Sequence, residues 1–177
     1  WNVRTGEAKE GADSLEALDA LEGALDRRKR DGQQLHPGLL HLHIHLLEMS
    51  TTPERALGSA NDLRHLVPGA GHLLHMPTHI DVQCGHYDDV VDSNIAAVAI
   101  DDKYSEYAGA TPSHALSVAH NYHFMMYGAM FAGRAKDALA AAEGLVKALP
   151  EELLRIESPP MADWLEGYVA LGIHARI

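Results

Sequence analysis

Three short runs of this sequence carry side chains of the right type and spacing to hold a metal ion. They are His41, His45 and Glu48; His72, His75 and His79; and His120 and His123, followed by Tyr127. On a helix each residue advances about 100°, so His41, His45 and Glu48 fall on one narrow stripe. An unbroken helix would also bring His72, His75 and His79 onto one face, and it sets His120 and His123 one turn apart. Imidazoles from neighbouring helices about 10 Å apart can meet. Two or three of them with Glu48 would suit Fe, Mn or Zn, and an all-histidine set would suit Cu, Ni or Zn. With an open coordination position, such a centre would activate water or dioxygen as an oxidoreductase or hydrolase. Glu48 and Tyr127 are the catalytic candidates. Tyr127 occupies the slot of His45 and His79, where it would be a ligand, a proton donor or a redox side chain. Asp81 would orient a ring or provide a carboxylate, and Asn94, Asn121 and Tyr122 are placed by the pattern to hold the ligand rings from behind.

A metal-free role fits the same slots in two ways: they would line a groove for a peptide or small molecule, or simply pack. His43, on the opposite side of its helix, is expected to pack against a neighbour. His65, His86 and His114 are expected at exposed or capping positions, and His36, before Pro37, outside the groove. His174 has no assigned slot. The sequence contains 13 histidines among 177 residues, and they are neither scattered nor contiguous.

The elements that must position these residues read as helices. Asp13-Ser14 caps a helix with leucines at 15, 18, 21 and 25, ending near Arg30. Further helices are expected from Pro37 to Met49, Glu54 to Leu66, His72 to Cys84 and Tyr87 to Asp101. Others follow from Pro112 to Phe131 and Ala135 to Leu149, with Pro150 ending the last of these. Lys103–Gly109 reads as irregular, and Ser158-Pro159-Pro160 would open a final helix. Pro77 either kinks the 72–84 helix or starts a new one. Phe124, Met125, Met126 and Met130 read as core. No segment reads as a strand, and no linker divides the chain.

A shift of 34 residues superposes His41 on His75 and His45 on His79. A shift of 48 superposes His72 on His120, His75 on His123 and Gly85 on Gly133. The longer shift is 34 plus a 14-residue insertion, placed after Asp101. With the Gly85-His86-Tyr87-Asp88-Asp89-Val90-Val91 pattern, and with Ala60 and Leu63 before Pro68, the chain resembles the tetratricopeptide repeat (TPR) family. The units would be about 37–68, 71–102 and 116–150, with half-repeats on either side, in one domain spanning 1–177. Thr51 stands where the first turn glycine belongs. The resemblance implies an all-α solenoid of helical hairpins. It also implies that His41, His45, His72, His75, His79, His120 and His123 face a concave groove, where a small-molecule substrate or peptide would bind. A resemblance of this kind specifies fold better than activity.

Composition narrows the function classes. The formal charge is −11, from 14 Lys+Arg and 25 Asp+Glu. That disfavours nucleic acid and anionic membranes as partners, and such a field would tend to raise histidine pKa values. No phosphate loop follows a strand, so no nucleotide cofactor is expected. The single cysteine, Cys84, excludes an internal disulfide and reads as packing, with a cytoplasmic location. No apolar run is long enough to span a membrane. The chain begins at Trp1 and stops at Ile177 within an apolar pattern, and so reads as part of a longer protein.

Overall fold

The computed structural model describes residues 1–109, 111–149, 151–157 and 161–176, and among them secondary structure is helical. The elements are α1 (Ser14–Arg30), α2 (Pro37–Leu47), a 3-10 turn (Pro53–Ala56), α3 (Leu57–Leu63), α4 (Gly71–His75) and α5 (Thr78–Cys84). They continue with α6 (Tyr87–Ala108), α7 (Pro112–Phe131), α8 (Ala135–Ala148), α9 (Glu151–Leu154), α10 (Met161–Leu171) and a 3-10 turn (His174–Arg176). Pro150 and Ser158-Pro159-Pro160, expected as a helix stop and a helix start, lie outside the described residues. Contacts divide the chain into two compact units, Trp1–His86 and Tyr87–Ile177. The boundary falls inside the repeat expected at 71–102.

In the first unit α2 is the organising helix. Pro37 opens it, and the His36 ring nitrogen Nδ1 accepts from the Leu39 amide, so His36 is a cap. Leu40, His43, Ile44 and Leu47 form its buried face at i, i+3, i+4, i+7 spacing. They pack with Leu18, Ala56, Ala60, Leu63, Met76 and Ile80. Because that stripe faces the core, His41, His45 and Glu48 lie on the other side. His43 packs as expected: its Nδ1 meets Ser59 Oγ at 2.8 Å and its Nε2 lies 3.5 Å from Glu22.

The expected 72–84 helix is two pieces. Proline has no amide hydrogen for the ladder and its ring clashes with the preceding turn. The chain turns at Met76-Pro77, and the Thr78 hydroxyl donates to the His75 carbonyl across the break. His72 and His75 therefore sit on the short helix α4, and His79 on α5.

The second unit is built on α6, α7 and α8. Its core is fine-grained: Val91, Met125, Met126, Ala129, Ala138, Ala141 and Ala142 in one cluster, and Ala115, Ala119, Leu145, Leu149, Leu153 and Leu165 in another. Met125 and Met126 are core, as expected, whereas Met130 is exposed. Small residues let the helices approach closely. A Cβ on Gly144 of α8 would sit 2.2 Å from the Tyr122 ring of α7.

Lys103–Ala108, expected to be irregular, completes α6 instead. The stretch lacks an apolar stripe, and α7 supplies the missing support through hydrogen bonds. Asn121 Nδ2 donates to buried Asp101 at 2.8 Å. His114 Nε2 lies 3.0 Å from Ser105 Oγ and 3.3 Å from the Asp101 carbonyl. His114 is thus a half-buried tie between helices and not an exposed residue.

Candidate metal centre

Within the first unit the structure brings together five of the seven histidines singled out by spacing. Their rings form a closed circuit. Centroids are 4.6 Å apart for His41–His45, 5.8 Å for His45–His79 and 4.9 Å for His79–His75. They are 6.2 Å apart for His75–His72 and 5.1 Å for His72–His41, which closes the ring. The break at Pro77 removes the single-helix stripe expected for residues 72–79, yet the three rings still converge.

Glu48 braces this circuit. One carboxylate oxygen lies 3.0 Å from His45 Nδ1, and the other is in close contact with His79 Nδ1. An ionised carboxylate can only accept hydrogen bonds, so both imidazoles present Nδ1–H to it. In their neutral form, both then carry a lone pair and not a proton on Nε2. Glu48 thus contacts two rings at once, at the position where spacing suggested a direct ligand or catalytic residue. Gln83, one helical turn beyond His79, donates to the Glu48 and His79 carbonyls and pins this end of α2 to α5. Its only signal in the sequence is the i, i+4 relation to His79, too common a spacing to single it out.

The remaining nitrogens face one another. His41 Nε2 lies 3.1 Å from His72 Nε2, and His75 Nε2 lies 2.9 Å from His79 Nε2. The ligand atoms of His41, His45 and His72 all lie within 4.8 Å of one another. Two nitrogens on one tetrahedral ion, each about 2.0–2.1 Å from it, are separated by about 3.3 Å, so modest ring rotation would close this trio on an ion. Exposure grades across the circuit: His75 is buried, His79 is 15% exposed and His45 40% exposed. The trio lies at the open side.

Local electrostatics reverse the expectation from net charge. Desolvation, followed by repulsion from His45, His72 and His79, holds His41 down at about 4 despite the attraction of Glu48. His72 is lowered by desolvation and by His45 and His79. His43 and His123 are lowered by burial too. The loss of hydration and the neighbouring imidazoles outweigh a diffuse negative field. Burial would raise the Glu48 carboxyl, but its hydrogen bonds from His45 and His79 pull it down to about 2. His41 and His72 are therefore favoured as neutral imidazoles, and Glu48 as an ionised carboxylate, at neutral pH, the protonation states that bind metal.

Asp81 is buried and takes both its oxygens to Arg64, at 3.0 Å each, joining α5 to the end of α3. Cys84 packs against the first core, and burial pushes its thiol pKa up, as suits a packing residue.

His120 and His123 lie in the second unit on α7, in aromatic surroundings. His120 Nδ1 is 3.3 Å from the Tyr168 hydroxyl. The His123 ring is edge-on to Tyr127 at 5.0 Å and to Tyr168 at 5.5 Å. The Tyr127 hydroxyl is hydrogen-bonded to His174 Nδ1, which places His174 beside Tyr127. Asn94 donates to the Val90 carbonyl, Asn121 donates to Asp101, and Tyr122 packs on Gly144. His65 and His86 are exposed, as expected. Among the described residues no helix is long and apolar enough to cross a membrane. No protein family, curated protein or solved structure matches this chain.

Proposed function

We propose that the first unit binds a divalent transition metal through His41, His45 and His72, and that the chain is a metal-dependent enzyme acting on a small molecule. The observation that carries this reading is the closed circuit of five imidazoles braced by one carboxylate. A helix face selected for packing or solubility has no reason to collect imidazoles that disfavour the protonation of His41 and His72 among them. A carboxylate behind a ligand ring, as Glu48 is behind His45, is the arrangement that fixes ring tautomers at metal sites. Its engagement with two Nδ1 atoms shifts the choice among Cu, Fe, Mn and Zn. Fe and Mn centres favour a coordinating carboxylate, whereas three imidazoles suit Zn or Cu. Three protein ligands leave a position for water or substrate, and at zinc such a water loses a proton near pH 7, which would make the reaction a hydrolysis or hydration.

The tetratricopeptide resemblance forms part of the proposal. It is supported by the 34-residue correspondence of His41 and His45 with His75 and His79. It is also supported by left-handed glycines at corresponding turns, Gly85 at φ 79° and Gly133 at φ 71°. The free Cys84 supports a cytoplasmic location.

The test is elemental analysis of chain purified without a histidine tag or nickel column, followed by thermal melts with added Zn, Cu, Mn or Fe. Near-stoichiometric metal and a metal-dependent rise in melting temperature are expected. Folded protein that takes up none of these ions and gains no stability would overturn the metal reading. The circuit would then be the wall of a metal-free peptide groove.

A further inference from the structure

Next to the circuit, α1 and α2 form an open groove of about 430 Å³ lined by Ala17, Leu21, Leu42, His45 and Leu46. Four of these five side chains are hydrocarbon, and the remaining one is an imidazole of the proposed metal trio. Leu42 is 52% exposed, and Leu15 on α1 and Met49 just beyond α2 are exposed as well. Apolar surface left in water at the edge of a polar centre marks a place where a ligand's apolar part is taken up. His45 Nδ1 is committed to Glu48, so this ring joins the groove to the centre.

Charge decides what the other end of the ligand should be. A divalent ion held by neutral imidazoles, with the Glu48 carboxylate behind His45, keeps one uncompensated positive charge. No acidic side chain lines the groove. An anionic head at the open coordination position would neutralise the centre, and an aliphatic tail would cover the leucines. We propose that the substrate class is a soluble monocarboxylate with an aliphatic chain, its carboxylate on the metal and its chain in the α1/α2 groove. This rests on the metal reading above.

The experiment keeps the two apart. The full chain is titrated with Co(II), whose visible spectrum reports ligand geometry, and the loaded protein is titrated with acetate and then with octanoate. Octanoate is expected to perturb the cobalt spectrum and to bind at least about tenfold more tightly than acetate, because burying a few methylenes suffices for that ratio. Leu42→Glu is expected to remove the chain-length advantage while leaving cobalt stoichiometry at the wild-type value, and Ala17→Asp to act in the same direction. Failure to bind cobalt or the other ions would defeat the metal reading and this inference with it. Cobalt binding with equal affinity for acetate and octanoate, or an octanoate advantage that survives Leu42→Glu, would overturn the inference alone. So would sedimentation showing a dimer that Leu42→Glu disperses, because a second copy would then occupy the groove.

Discussion

The sequence runs His72-x-x-His75 and His120-x-x-His123 correspond across the 48-residue shift, yet they end in different chemistry. In the first unit the rings face other imidazoles, nitrogen to nitrogen, with a carboxylate behind. Within the second unit the corresponding pair has Phe124, Tyr127 and Tyr168 as ring neighbours, and hydroxyls meet the ring nitrogens of His120 and His174. What differs is the companion helix. In the first unit α2 contributes two more histidines and Glu48, whereas in the second α10 contributes Tyr168 and the final turn contributes His174. The side chains that the companion helix brings decide what meets each ring nitrogen within its unit. Spacing along one helix cannot show that.

The largest expected effect tests this difference directly. The double substitution His41→Ala, His72→Ala removes two of the three proposed ligands and should weaken zinc binding by about 100-fold or more. His123→Ala should leave it within about threefold. Competition against a chromophoric chelator measures both. Comparable losses from the two variants would erase the contrast between the units.

Glu48→Gln comes next. The amide can accept from only one ring, so one of the two imidazoles loses its fixed tautomer and orientation. Zinc affinity should fall about 10- to 100-fold with the ligand count unchanged, which is the size of effect associated with groups that hold ligands from behind. An abolished site, with loss of one bound atom in X-ray absorption, would show Glu48 to be a direct ligand.

Acid should act mainly through the first unit. Below pH 6.5 the unfolded chain protonates residue 41, while the folded chain resists until about pH 4. The unfolded state then binds more protons, so stability falls as pH drops through that window. Glu48 adds a second window with the same sign. Its contribution is present above about pH 4.5 and is lost as pH falls towards its folded value of about 2. The melting temperature of metal-free protein should therefore fall by about 5 °C or more between pH 7 and pH 4. In His41→Ala the upper part of that decline should be shallower. A melting temperature that rose on acidification would contradict the protonation states assigned to the circuit.

Periodicity made the helical class legible, along with the buried face of α2 and the slots of the five converging histidines. It could not show that Pro77 would split a helix while the rings on either side stayed in register with α2. It also makes Lys103–Ala108 look like a loop, because α6 is sustained there by Asn121 and His114 reaching from α7, and sequence periodicity carries no trace of such bonds. The stripe on α2 locates Glu48 but not its role. Whether a carboxylate faces a metal or the backs of two imidazoles depends on ring rotations that helical spacing leaves open. Tyr127 stands out by sharing a slot with histidines, and its partner His174, 47 residues away, lies beyond the reach of any local pattern.

Tyr127 therefore gives the smallest expected effect and the sharpest contrast with Glu48, since spacing makes the two equal candidates. Tyr127→Phe keeps the ring that packs edge-on against His123 and deletes only the hydroxyl bonded to His174. A hydrogen bond of this kind at a surface-facing position contributes about 0.5–1 kcal/mol, which in a chain of this size lowers the melting temperature by about 2–3 °C. Zinc affinity should stay within about twofold, because the phenol's one hydrogen-bonding group is engaged in its own unit. If instead Tyr127→Phe weakened zinc binding tenfold at unchanged melting temperature, a tyrosine in a histidine slot would be acting as a histidine does. The chemical difference between the two units would then fail at the residue where it is most exposed to test.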